Sequence, residues 1–300
     1  MIKKQNFGVE IEMNNMPRSK AQQIVAKVLG STNTGSECSY DNHYVIDSKG
    51  RMWKCESDAS ISGGSGQATE LVTPVLEYGD IETLQEVIRA LRKAGAKTDS
   101  SCGIHIHVDG ANHTPDSLKR LVNFMIARQD LIYESLEIGS RGNRWCKRLS
   151  KDLFAAMKKN RNLDNSSLEM IWYSNVNDGY CGGIDHRHYN ETRYHGINLH
   201  AFFTKGTIEF RLFNSTLHAG KVKAYIQFCL AVSGWAISSQ DRVVFRSMDG
   251  YTPDQKVTIM RNILTNRLGL WGGEFKTCRL HLMNPLKKAA GMNVREQAAA

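Results

Sequence analysis

The sequence predicts one α+β domain, and three observations carry that prediction. Period-two segments that read as strands alternate with segments of helical period along most of the chain. No internal repeat and no convincing linker divides the 300 residues, so a single domain spanning 1–300 is expected. A hydrophobic fraction of 41% with 23% charged residues supplies enough apolar surface for one core, which sets aside a disordered or collagen-like chain.

The first strand is read at residues 7–13, F-G-V-E-I-E-M, where alternation puts Glu10 and Glu12 on one face and Val9 and Ile11 on the other. Ser19 then reads as an N-cap, and Ile24, Val25, Val28 and Leu29 space a helix that stops at Gly30. Residues 44–46 and 51–56 flank Asp47-Ser48-Lys49-Gly50 and predict a hairpin. Asp58 ends it, the Gly/Ser-rich stretch 62–66 reads as a connector, and residues 69–72 form a strand stopped by Pro74.

Leu84, Val87, Ile88 and Leu91 predict a helix over 81–94 with Gly95 at its C-terminal end. I-H-I-H-V-D, residues 104–109, alternates as a strand, and 116–136 reads as one long helix. Beyond it the pattern loosens. Residues 149–157 look helical, but 175–195 has no clear period, and a lid or insertion is expected around 141–195. Two strands, 197–203 and 207–213, precede a strongly apolar helix at 221–238. That helix opens a helical C-terminal part, 218–300, which includes 253–264 and an Ala-rich tail.

Thirty-nine Lys and Arg against thirty Asp and Glu give a formal charge of +9, a balance that favours anionic partners in general and none in particular. The seven cysteines (Cys38, Cys55, Cys102, Cys146, Cys181, Cys229 and Cys278) contain no CxxC pair and read as reduced thiols. The polar N-terminus lacks a signal-peptide core, and the longest apolar run, 224–237, is too short to span a bilayer. A soluble, cytoplasmic protein is the expectation.

Chemistry is carried by acids and imidazoles that recur on strands: Glu10 with Glu12, Asp58 with Glu70, His105 with His107, and Glu209 with Arg211. Glu10 and Glu12, His105 and His107, and Glu209 and Arg211 are each spaced by two, so both side chains of each pair share a face. Taken alone, Glu-x-Glu is the solvated face of an antiparallel sheet, and Glu209-x-Arg211 is a same-face ion pair. Several strands breaking the apolar rule together call for a shared counter-charge, because unpaired buried carboxylates cost several kcal/mol, on the order of magnitude of any buried charge. Hard oxygen donors with one or two imidazoles suit Mg²⁺ or Mn²⁺. Without a cation the acids should repel, so Gln at Glu10 or Glu209 is expected to leave the metal-free fold intact or more stable.

The ordered motifs F-G-V-E-I-E, S-D-A-S, T-E-L-V-T-P, C-G-I-H-I-H-V-D and G-T-I-E-F-R-L-F, over about residues 7–235, resemble the amidoligase family of the glutamine synthetase and glutamate–cysteine ligase-like superfamily. The resemblance implies a glutamine-synthetase-like catalytic domain: a curved, mainly antiparallel sheet with metal-binding strands, covered by helices. It implies Glu10, Glu12, Asp58, Glu70 and His105 as metal ligands, with Glu209 closing a second metal position beside the catalytic groups. Arg211 would hold a transferred phosphoryl group, and His107 would sit near the phosphate or acyl substrate. Arg193 and Asn198 would contact nucleotide or substrate.

The implied cofactors are ATP and Mg²⁺ (or Mn²⁺). The implied activity is ADP-forming amide synthesis from a small-molecule or peptide carboxylate and an amine, through an acyl phosphate. The base is not named by the sequence; Asp178 and Asp185 are candidates. A monomer or small homo-oligomer is expected, with neither membrane nor nucleic acid as partner. Two other readings stand beside it: a metal-dependent hydrolase using His105 and His107, and a basic nucleic-acid-binding protein using the net charge with Trp145, Trp172 and Tyr173.

Overall fold

The computed structural model describes residues 1–37, 40–62, 66–160, 162–176, 183–245 and 247–294. In chain order the elements are β1 (Phe7–Met13), α1 (Arg18–Leu29), β2 (Thr34–Glu37), β3 (Asn42–Ile46), β4 (Met52–Glu56), β5 (Thr69–Val72), α2 (Ile81–Lys93), β6 (Gly103–Asp109), α3 (Pro115–Ile126), α4 (Gln129–Ser135), α5 (Lys151–Lys159), α6 (Asn165–Val176), β7 (Ile197–Asn198), α7 (His200–Lys205), β8 (Thr207–Asn214), α8 (Ala219–Ser238), α9 (Pro253–Asn262) and α10 (Lys276–Ala289). The strands form one antiparallel sheet in the order β2-β3-β4-β5-β1-β6-β8-β7. The α+β class expected from the sequence is the class observed.

Alternation explains why this sheet has two unlike faces. Val9 and Ile11 pair with Ile106 and Ile104, Ile11 with Leu71, Leu71 with Cys55, and Ile106 with Phe210. All of these are buried; the helices α1 and α8 pack over the sheet, and α2 packs against both of them. Each fully buried aliphatic side chain contributes about 1.5–3 kcal/mol by leaving water. The intervening positions therefore all face the other way, and there the acids collect. A β-bulge shifts the β6–β8 register between Ile104 and Ile106, so that His105 opposes the stretch between Phe210 and Phe213.

The hairpin forms as expected, with Asp47 Oδ1 accepting the backbone N–H groups of Lys49 and Arg51 at 2.9 Å. Four sequence readings are corrected. Ser19 lies inside α1, and Pro17, which makes no side-chain cap, is the N-cap. The long helix over 116–136 breaks at Ala127 and Arg128 into α3 and α4, where Arg128 takes a non-helical backbone conformation with φ −133 and ψ 3. The strand 197–203 shrinks to Ile197–Asn198. Residues His200–Lys205 instead turn into α7, which Gly206 ends with φ +74, a left-handed conformation that glycine adopts without strain. The patternless segment from 175 contains the end of α6 and a 3₁₀ turn, Glu191–Arg193.

Asp178, Cys38, Cys181, residues 63–65 of the Gly/Ser-rich connector and the tail 295–300 lie outside the described residues. The five described cysteines are free and buried. Among the described residues no helix is long and apolar enough to cross a membrane.

Candidate active site

Strand register assembles the polar face into three rows. Glu56, Glu70 and Glu12 are aligned across β4, β5 and β1; Val72, Glu10 and His105 across β5, β1 and β6; and Gly8, His107, Glu209 and Asn198 across β1, β6, β8 and β7. Directly opposed residues in a sheet stand close enough to interact, so five acids and two imidazoles from five strands meet in one place.

Two groups have ligand atoms within 4.8 Å of one another: Glu10, His105 and Glu209, and Glu12, Glu70 and His105. His105 belongs to both. Its Nδ1 lies 2.8 Å from Glu10 Oε2 and 3.9 Å from Glu209 Oε1, while its Nε2 lies 3.6 Å from Glu12 Oε1. Glu12, His105 and Glu209 are 3–4% exposed, so water does not screen them. The Nε2 atoms of His105 and His107 are buried without a hydrogen bond. Orphaned imidazole nitrogens facing a surplus of carboxylate oxygens are the donor set that a hard divalent cation satisfies, so these residues fit the expected metal.

The acids do not share one electrostatic environment. Burial pushes Glu70 well above the usual carboxylate range, and the charges of Glu10, Glu12, Asp58 and Glu56 push it further. Burial also raises Glu12, against the pull of His105, the Gly103 N–H and Arg141. Glu10 is held well below the usual range: burial opposes this, but His107 and His105 outweigh it. Glu209 falls to about 2 because Arg211, His107 and His105 overcome its burial. His107 is raised, with Glu10 and Glu209 outweighing burial.

Arg211 follows Glu209 by two on β8 and donates from Nη1 to its Oε1 at 2.6 Å. Its Nε is buried with no acceptor, which leaves a charged donor at the cluster. Asn198 Nδ2 donates to Glu209 Oε2 at 2.7 Å, and its Oδ1 accepts the Ala201 N–H at 3.4 Å. Asn198 thereby fixes Glu209. His107 Nδ1 bonds Thr207 Oγ1 at 2.9 Å and its Nε2 sits 3.3 Å from Glu10 Oε1, outside both groups of three.

Other candidates land at the margin. Asp58 is close enough to raise Glu12 and Glu70 but belongs to neither group, and its Oδ1 accepts the Ser60 N–H. Arg193 is not in the acid cluster. With His186, His188, His200, Lys205, Asn198 and Glu209 it lines an adjoining cleft of about 200 Å³. Asp185 is tied to the Arg187 guanidinium at 2.8–3.1 Å and held at about 2, which makes it a poor base at neutral pH. A larger groove of about 760 Å³ between α4, α8 and α9 is lined by none of these acids, and the chemistry places the site at the cluster.

Three residues of the site had no sequence signal. Glu56 is the one acid of M-W-K-C-E and enters only through its pairing with Glu70. Arg141 is buried, donates to Ser101 O at 3.2 Å and lowers Glu12. A Cβ on Gly103 would meet Arg141 Nη2 at 2.2 Å, so glycine is what lets the guanidinium pass β6, whose Gly103 N–H is donated to Glu12 Oε2 at 2.6 Å. His200 was hidden by reading 197–203 as a strand.

A family model described as "Putative amidoligase enzyme" matches residues 3–233, which include every member of the cluster. No curated protein matches the chain.

Proposed function

Because the chain belongs to the amidoligase family, we propose that it is an ATP- and Mg²⁺-dependent (or Mn²⁺-dependent) ligase joining a carboxylate to an amine through an acyl phosphate. The observation that carries this reading is the pair of acidic groups sharing His105, with Arg211 on the neighbouring strand. Divalent cations held by Glu10, Glu12, Glu70, His105 and Glu209 would neutralise phosphate oxygens and set the γ-phosphoryl of ATP in line with the acceptor.

The chain's own residues supply the rest. Arg211, anchored through one nitrogen by Glu209, presents its remaining donors to the charge that grows on the transferring group, a role that needs a planar fork. Asn198 holds Glu209 in place, so that carboxylate need not reorganise during the reaction, and His107 offsets the charge of Glu10. Arg141 offsets the charge of Glu12 from the other side. The cleft beside Glu209 admits the second substrate.

Phosphate release and new amide masses, followed together in carboxylate and amine pools with Mg²⁺ and ATP, test this reading. Release that requires both pools supports it. Hydrolysis products without ATP turnover would replace it with the hydrolase.

A further inference from the structure

We propose that the cleft beside Glu209 is the amine subsite and that its amine donor carries a carboxylate of its own, as an amino acid does. The inference rests on the ligase reading above. Arg193 and Lys205 line the cleft, and neither has an acidic partner within ion-pair distance among the described residues. Both charges converge there, since each lowers His188, and Arg193 lowers His200, where burial is the larger cause.

Among the described residues, the acids that border the cleft are already matched. Glu209 is bonded by Arg211 and Asn198, and Glu169 lies 2.5 Å from His186 Nε2. An ammonium ion is repelled by such a lining, whereas a carboxylate is held by it, and a neighbouring cationic lining also favours the neutral form of the amine. At about 200 Å³ the cleft is smaller than the roughly 300–1,000 Å³ typical of larger ligands, which suits a donor of amino-acid size.

His200 supplies the proton acceptor. It is 5% exposed, its Nδ1 lies 2.6 Å from Tyr173 Oη, and its Nε2 makes no hydrogen bond among the described residues. In the tautomer that acts as a base, Nδ1–H is donated to Tyr173 Oη and Nε2 carries the lone pair. The amine nitrogen forms a bond to the acyl carbon, the carbon–oxygen bond to phosphate breaks with its electron pair leaving on phosphate, and the nitrogen's proton passes to His200 Nε2. Arg193, His186, Asp185 and Glu209 are the charged groups whose fields reach this imidazole.

The test supplies the full chain with Mg²⁺, ATP, and a pool of N-acetyl amino acids and dicarboxylates. Glycine, glycinamide, methylamine and ammonium are offered singly, and hydroxylamine traps the activated acyl group. Amides from glycine should exceed those from the other three amines at least about ten-fold, and Lys205→Gln or Arg193→Gln should lower the glycine-to-hydroxylamine product ratio about ten-fold. His200→Gln should lower kcat with glycine more than KM, with rate regained as pH rises. Hydroxamate formation with glycinamide, methylamine or ammonium used as well as glycine overturns the inference and leaves the ligase standing. No hydroxamate and no amide from any pool overturns the ligase reading and the inference with it.

Discussion

His105 stands between Glu10 and Glu12, its Nδ1 2.8 Å from one carboxylate and its Nε2 3.6 Å from the other. One side chain thus belongs to both candidate metal positions, although the two acids occupy different cross-strand rows. The bulge opposite His105 sits where this doubled role is needed.

Sharing predicts that His105→Ala removes both positions together. Mn²⁺ titration followed by electron paramagnetic resonance should show no tight binding in the variant. A variant that keeps half of the wild-type stoichiometry would mean that the groups bind independently.

The acids should respond oppositely to amidation in metal-free buffer, whereas mutual repulsion alone would leave the fold intact or more stable with Gln at Glu10 or Glu209. Glu70 is raised by burial and by Glu10, Glu12 and Asp58, so the folded state binds its proton more tightly than the unfolded chain does. Its stabilising contribution is complete below the ordinary glutamate pKa and is lost as pH rises toward the raised folded value. Glu70→Gln should therefore raise the neutral-pH Tm and flatten that decline. Glu10 is held down by His107 and His105 against burial, so its contribution is present above the ordinary pKa and lost on acidification. Glu10→Gln should cost roughly 1–3 kcal/mol. Thermal melts from pH 4 to 8 separate the two, and equal shifts of one sign would refute the distinction.

Gly103→Ala drives a methyl group into the Arg141 guanidinium. The expected cost is about 1–3 kcal/mol in chemical denaturation, with lower turnover because the donor to Glu12 moves. A neutral substitution would show that Arg141 relocates freely.

Arg211→Lys should lower kcat by about 10²–10³ while changing nucleotide affinity far less, because the contact forms chiefly as charge develops on the phosphoryl group. An effect confined to affinity would assign Arg211 to ground-state binding.

The strands that carry the site were legible because alternation is local: F-G-V-E-I-E and C-G-I-H-I-H each declare two faces within a few residues. Four acids and His105 carry that pattern and lie together in the two groups. What stayed hidden depends on partners distant in sequence. Glu56 gains meaning only opposite Glu70, and Arg141 only beneath Gly103. His200 needed the turn of α7 to bring it to Tyr173, while I-N-L-H-A-F-F by itself favours a strand. The break between α3 and α4 has no glycine or proline to mark it, and Leu131 and Ile132 follow Phe124 and Met125 by seven, so the helical period runs on through Arg128, where the backbone leaves the helix.

The central claim is that a substrate carboxylate is phosphorylated before the amine attacks. Supplying the carboxylate pool labelled with oxygen-18, with ATP, Mg²⁺ and amines, and weighing the released phosphate tests it directly. The account predicts one labelled oxygen per phosphate, transferred from the carboxylate as the amide forms. Unlabelled phosphate, with its new oxygen drawn from water, would contradict it.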